Sequence, residues 1–198
     1  MPSRWPPSNT PQVALLAGAA ALVVLAAGCV VFGTDRREAQ AVSRGELTQL
    51  LDSTRLPDLD GAVKPLRGRM GPTGLLVVFV DTTCPSAAVA ISNMSSIAQV
   101  LAKRKIPSVL VNLGDAKWVV EQVYAARKVA IPVLYDTGKA TQTAWRITSV
   151  PTVVLLDADG AVCYRGRAVW ADVASAAEKS LKLAAGSVKF AAEGTEFG

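Results

Sequence analysis

Cys84 is the side chain of this sequence best placed to act as a nucleophile. It follows an apolar run of Leu75, Leu76, Val77, Val78, Phe79 and Val80, with Asp81, Thr82 and Thr83 leading into it. Pro85 comes next, where the first turn of a helix tolerates a residue without an N–H. Ala87, Ile91, Met94, Ile97, Ala98 and Leu101 then recur at three- and four-residue spacing. That pattern predicts a buried strand, a turn and a helix laid against a sheet, with Cys84 as the N-cap. A thiolate there faces the unpaired N–H groups and the positive end of the helix, with the Thr82 and Thr83 hydroxyls as further stabilising groups. Asp81, three residues earlier, is a like charge that opposes it, and the sequence leaves the net sign open. A small, packed, inert cysteine is the plainer reading of a lone thiol. The strand tip before Cys84 and the proline after it favour the chemical one.

What the chain lacks narrows the chemistry further. It has no histidine, which removes Ser-His-Asp and Cys-His catalysis, histidine metal ligands and histidine pH switching together. Its three cysteines, Cys29, Cys84 and Cys163, show no Cys-x-x-Cys spacing, so no structural zinc site is expected and the thiol chemistry calls for no cofactor. Cys163 alternates with Val162 and Tyr164 and reads as a packed strand residue. The net charge of +5 is scattered. Its tightest cluster, Lys103, Arg104 and Lys105, falls at a predicted helix C-terminus where cations are favoured, so no nucleic-acid surface is expected.

Around the Cys84 unit the chain alternates strands and helices. Residues 34–55 read as a linker running into a short helix. Residues 56–61 read as an entry turn, 62–66 as a short edge strand and 67–74 as a glycine-rich turn. A second strand is predicted over 106–113, and a helix over 116–128 capped by Asp115, with Val119, Val123 and Ala126 inward. A third strand is predicted over 131–135 and a short helix over 140–145. Pro151 then heads an apolar strand, Asp159-Gly160 signals a hairpin, and 161–165 is the return strand. Residues 170–183 form the last amphipathic helix. A chain of 198 residues, 51% hydrophobic and 19% charged, can bury one such α/β core.

The order strand, cysteine, proline and helix resembles the active-site turn of the thioredoxin superfamily, and Val150-Pro151 before its strand resembles that superfamily's cis-proline loop. The stretch VLYDTGKATQTAWRITSVPTVVLLDADGAVCYRG most resembles membrane-anchored thioredoxin-like and redoxin-domain proteins. The resemblance implies a thioredoxin-like domain over 56–185, a central mixed sheet with helices on both faces, preceded by a transmembrane helix. It implies a cis Val150–Pro151 peptide beside a catalytic Cys84, with Thr83, Pro85, Val150 and Pro151 binding substrate. One departure governs the function. The redox members carry W-C-x-x-C, whereas here Thr83 replaces the tryptophan and Ala87 the resolving cysteine. A single thiol can still form a mixed disulfide and wait for an outside thiol. Protein thiols or disulfides, and glutathione, are the expected partners of a monothiol oxidoreductase. The alternative is a redox-inactive module that holds an extended peptide by strand-like pairing. A one-cysteine peroxidase fits less well, because Val77 and Asp81 stand where the peroxidase motif has proline and a hydroxyl residue.

The N-terminus reads as a tether. Residues 1–12 are rich in proline and polar residues and are expected to be disordered. Residues 13–33 carry no charge, and 21 residues at 1.5 Å each suffice to cross a bilayer core of about 30 Å. We read them as an uncleaved signal anchor of a single-pass protein. Leu25-Ala26-Ala27-Gly28-Cys29 resembles a lipobox, which makes a lipoprotein acylated at Cys29 the alternative. Resemblance, rather than the flanking charges, implies an extracytoplasmic, periplasmic domain. Residues 186–198 are expected to fray.

Overall fold

Leu75, Val77 and Phe79 project to one side of a strand and Leu76, Val78 and Val80 to the other, so the sheet that holds them is covered twice. The computed structural model describes residues 44–183 and 188. The expectations for the tail 1–12, the anchor 13–33 with Cys29, the start of the linker and, Val188 apart, the tail 186–198 lie outside the described residues. Among the described residues no helix is long and apolar enough to cross a membrane.

The described chain opens with α1 (Arg44–Ser53), followed by β1 (Arg55–Pro57), β2 (Val63–Pro65) and a 3-10 turn, Leu66–Arg69. Then come β3 (Gly74–Val80), α2 (Pro85–Ala102), β4 (Ser108–Leu113), α3 (Lys117–Ala126), β5 (Val133–Asp136), α4 (Ala140–Ala144), β6 (Thr152–Asp157), β7 (Val162–Arg167) and α5 (Trp170–Ser180). Five strands form the main sheet in the order β5-β4-β3-β6-β7. β4 and β5 run parallel to β3, whereas β6 is antiparallel to β3 and β7 to β6. β3 is therefore central and buried along its whole length. Its C-terminal end, the C-terminal ends of β4 and β5 and the N-terminal end of β6 meet at one edge of the sheet.

One core lies between the sheet and α2, α3 and α5, with Ile91, Met94 and Leu101 of α2 fully buried against Val78 and Val80. The other lies between the sheet and α1, the 3-10 turn and the segment after α4, where Trp145 is fully buried. The Trp145 ring lies 5.6 Å from that of Phe79, and its Nε1–H donates to Thr54 Oγ1 at 2.9 Å. Pairing that donor avoids the penalty of roughly 1–3 kcal/mol for a buried unsatisfied polar group.

Three details differ from the sequence reading. The short strand at 62–66 is not an edge of the main sheet. As β2 it pairs with β1 alone, and prolines at 57 and 65 shorten the ladder because they lack an N–H. On α3 the buried residues are Val120 and Tyr124; of the expected Val119, Val123 and Ala126, Val123 packs partly buried against the same core and Ala126 is exposed, because Tyr124 turns a polar-tipped ring into the core. Third, the helix inside residues 34–55 buries Leu47 and Leu51 in the second core. The folded unit thus begins well before Leu56.

Candidate active site

The apolar run ends at Val80 because Asp81 cannot be buried without partners, and it finds them in the turn that follows. Asp81 Oδ1 accepts the backbone N–H of Cys84 at 2.7 Å, the N–H of Thr83 at 3.0 Å and the Thr83 hydroxyl at 3.0 Å. This closes the chain over residues 81–84 and starts α2 with Cys84 as N-cap and Pro85 at its first position. Ala87, one turn on, is fully buried in the core. Its methyl group therefore occupies the inward position of the motif.

A second carboxylate holds the same turn from outside. Gly114, at φ +89, reverses the chain after β4, a conformation that favours glycine. Asp115 then reaches back, and its Oδ2 accepts the Thr82 N–H at 2.9 Å and Asn112 Nδ2 at 3.0 Å. The expected role of Asp115 as the cap of α3 is corrected by this geometry. The N-cap of α3 is Ala116, which makes no side-chain capping bond, because the Asp115 carboxylate is engaged across the sheet.

The Cys84 sulfur is partly exposed and meets two oxygens. Ser86 Oγ lies 2.9 Å from Sγ. The Val150 carbonyl lies 3.6 Å from it, where the protonated thiol donates. The two contacts favour opposite protonation states. Ser86 donates to a thiolate, whereas a carbonyl accepts only from a thiol. Cys84 is held below the ordinary thiol value, by the Ser86 hydroxyl first and the Ala87 N–H next, against burial, with the Ser86 N–H helping and the Asp81 charge opposing. The hydroxyl that acts on the sulfur is thus Ser86 rather than Thr83, whose own hydroxyl is turned to Asp81.

The residues singled out in the sequence fall as follows. Thr83 and Pro85 flank Cys84 and are exposed. Val150 comes from 66 residues away to touch the sulfur. The Val150–Pro151 peptide is cis, and Thr152 continues from it into β6 opposite Phe79 of β3. Cys163 is half-buried on β7. Burial first, and then Asp157, push its thiol above the ordinary value, the reverse of Cys84. Sequence reasoning did not single out Ser86, Asn112 or the part played by Asp115. A hydroxyl two residues past an N-cap cysteine was the available signal for Ser86. Nothing local signalled the bond between Asp115 and Thr82, since the two lie 33 residues apart. Among the described residues no cluster of side chains could hold a metal ion.

Comparison with known proteins places this geometry in context. A family model described as Redoxin matches residues 40–180. No curated protein matches the chain. Among solved structures, a secreted Mycobacterium tuberculosis disulfide oxidoreductase homologous to E. coli DsbE is similar at TM-score 0.56 and 13% identity, over 69% of this chain and 99% of that one. A protein from Chlorobium tepidum, provisionally named thiol:disulfide interchange protein DsbE, is similar at TM-score 0.59 and 19% identity, over 65% and 92%. An uncharacterized conserved protein from Geobacillus kaustophilus is similar at TM-score 0.53 and 21% identity, and the chain covers 57% of itself but only 64% of that protein's length. At these identities the likeness is one of fold, a thioredoxin-like α/β arrangement with a mixed sheet.

Proposed function

The chain belongs to the redoxin family, and from that premise we propose that it is a membrane-tethered monothiol oxidoreductase acting through Cys84. The observation that carries the reading is the sulfur's setting. Cys84 stands partly exposed at a helix N-terminus, with the Ser86 hydroxyl 2.9 Å away and its thiol held below the ordinary value.

The chemistry follows from the atoms present. The Cys84 thiolate attacks one sulfur of a partner disulfide. A new S–S bond forms to Cys84, the old one breaks, and the other partner sulfur leaves as a thiolate. Ser86 stabilises the attacking thiolate, and the Val150 carbonyl holds the resting thiol. Resolution comes from outside, because Ala87 offers no second sulfur and Cys163 is half-buried with a raised thiol value. A glutathione or protein thiolate attacks the mixed disulfide, taking the partner sulfur and returning Cys84 as a thiolate. Thr83, Pro85, Val150 and Pro151 line the approach to the sulfur in this reading.

The tether rests on the 21 uncharged residues 13–33, read as a signal anchor with the domain on the extracytoplasmic, periplasmic side. A lipid on Cys29 is the alternative form of the same tether. One observation favours a second reading, a redox-inactive binding module. The Cys84 thiol already donates to Val150 and has no resolving partner.

Non-reducing gels of cells expressing the full-length chain separate the two. The oxidoreductase accumulates covalent partner adducts under oxidising conditions, lost with reductant and in Cys84→Ser but kept in Cys163→Ser. A binding module forms none, and Cys84→Ser binds what the wild type binds. Alkaline carbonate extraction tests the tether, which keeps the protein in the membrane pellet. Labelled palmitate at Cys29 would identify the lipoprotein form.

A further inference from the structure

We propose that Asp115 is a positioning residue for Cys84, holding the 81–84 turn through a hydrogen bond from the neighbouring β4–α3 loop. The inference rests on the reading of Cys84 as the reactive thiol and names what that thiol depends on.

Three observations carry it. First, a single atom, Asp115 Oδ2, accepts both the Thr82 N–H at 2.9 Å and Asn112 Nδ2 at 3.0 Å. The turn is thereby tied to β4 and not only to its own Asp81. Second, the carboxylate serves this purpose at the expense of the helix it precedes, since α3 begins without a side-chain cap. Third, Asp115 is itself held by a buried group. Asn112 is fully buried opposite Val80 at the end of β3, and its Nδ2 also lies 3.5 Å from the Tyr124 hydroxyl. Its Oδ1 is buried without a hydrogen-bond partner among the described residues. A buried amide with one end unpaired is costly, and the end that is paired is the one that fixes Asp115.

The consequence for Cys84 is geometric. The short approach of Ser86 Oγ to Sγ requires the backbone from Thr82 to Ser86 to keep one conformation. Two anchors set it, Asp81 at Thr83 and Cys84, and Asp115 at Thr82. The titratable groups facing the turn are Asp81 on its own loop, Asp115 from the β4–α3 loop and, beyond Asn112, Tyr124 on α3. Burial pushes the Tyr124 phenol up to about 12, so it stays neutral while Cys84 titrates.

Both bonds end on one carboxylate oxygen, so Asp115→Asn keeps them with its amide oxygen while removing the charge. Asp115→Ala removes bonds and charge together. The test is the pH profile of Cys84 alkylation in the full-length chain, read on the Cys84 peptide by mass spectrometry, with thermal unfolding recorded alongside. A positioning role predicts that Asp115→Ala raises the alkylation midpoint and slows reaction at neutral pH severalfold, and that Asp115→Asn stays at the wild-type midpoint. The proposal is overturned if Asp115→Ala matches wild type, or if the Asn variant shifts as the Ala variant does; a fall shared by both is the mark of a lost negative charge beside the thiolate. Should Asp115→Ala fail to fold, Asp115→Ser takes its place, since its shorter side chain cannot hold both donors: a raised midpoint there supports positioning and a wild-type midpoint contradicts it. A wild-type midpoint at the free-thiol value would overturn the reading of Cys84 as well, whereas a lowered wild-type midpoint shared by both variants overturns only the role of Asp115.

Discussion

The Ser86 hydroxyl oxygen stands 2.9 Å from the Cys84 sulfur, and this contact leads the influences that hold the thiol below its ordinary value. Ser86 is exposed in the first turn of α2, so its removal leaves the core intact. Ser86→Ala should raise the pH midpoint of Cys84 alkylation toward the free-thiol value of about 8.5. Reaction at neutral pH slows, the two rates converge at alkaline pH, and the thermal midpoint of unfolding stays close to wild type.

Asp81 acts on the same thiol with the opposite sign. Its charge opposes the thiolate while its oxygen organises the turn. Asp81→Asn retains an acceptor and should lower the alkylation midpoint below wild type. Asp81→Ala removes the acceptor for three donors and should cost about 1–2 kcal/mol in chemical denaturation, the usual loss when a cap is deleted.

The pH dependence of stability carries a signature of Cys84. Its folded value lies below its unfolded one, so the unfolded chain binds more protons between the two and stability rises with pH there. The contribution is complete above the unfolded value of about 8.5 and is lost as pH falls through the folded one. Cys163 has the opposite shift, upward through burial, so its contribution fades as pH rises. Thermal unfolding of wild type and Cys84→Ser across the thiol range isolates the first effect, because Cys163 is common to both. The gap between them should move in favour of wild type as pH increases.

Much of this site was legible because its signals are local. The strand from Leu75 to Val80, Cys84 as N-cap and Pro85 at the first helical position follow from adjacent residue types, and the structure has each of them. The contacts that tune the sulfur were not legible in the same way. Ser86 and Thr83 are both hydroxyl residues beside Cys84, and only the fold decides that Thr83 turns to Asp81 and Ser86 to the sulfur. Asp115 precedes a helix and has the chemistry of a cap, yet a tertiary bond to Thr82 takes its carboxylate. The shift of the α3 stripe to Val120 and Tyr124 has the same origin, since Tyr124 meets Asn112 in the core.

The extent of the folded unit gives a truncation test. Leu47 is 3% and Leu51 0% exposed, and removing a buried leucine side chain costs about 2–5 kcal/mol. A chain starting at residue 40 should therefore unfold cooperatively, whereas one starting at residue 56 should be unstable or molten by circular dichroism and denaturant titration.

Restoring the missing sulfur tests the motif. Ala87 sits one turn after Cys84 with its side chain in the core. Ala87→Cys should close an intramolecular disulfide on oxidation and drain mixed disulfides that accumulate in the wild type. The reduced variant should lose about 1–3 kcal/mol, since an extra sulfur must fit a packed site.

The central claim is that Cys84 exchanges with disulfides and that its motif, with Ala87 in place of a second cysteine, holds no sulfur to resolve the product. Intact-mass spectrometry of the purified full-length chain after incubation with glutathione disulfide reads this directly. The account predicts a glutathionyl adduct on Cys84 that forms near neutral pH, persists when excess reagent is removed, disappears with added thiol and is absent from Cys84→Ser. No adduct at Cys84 while the protein remains folded would contradict it, as would equal modification of Cys84 and Cys163.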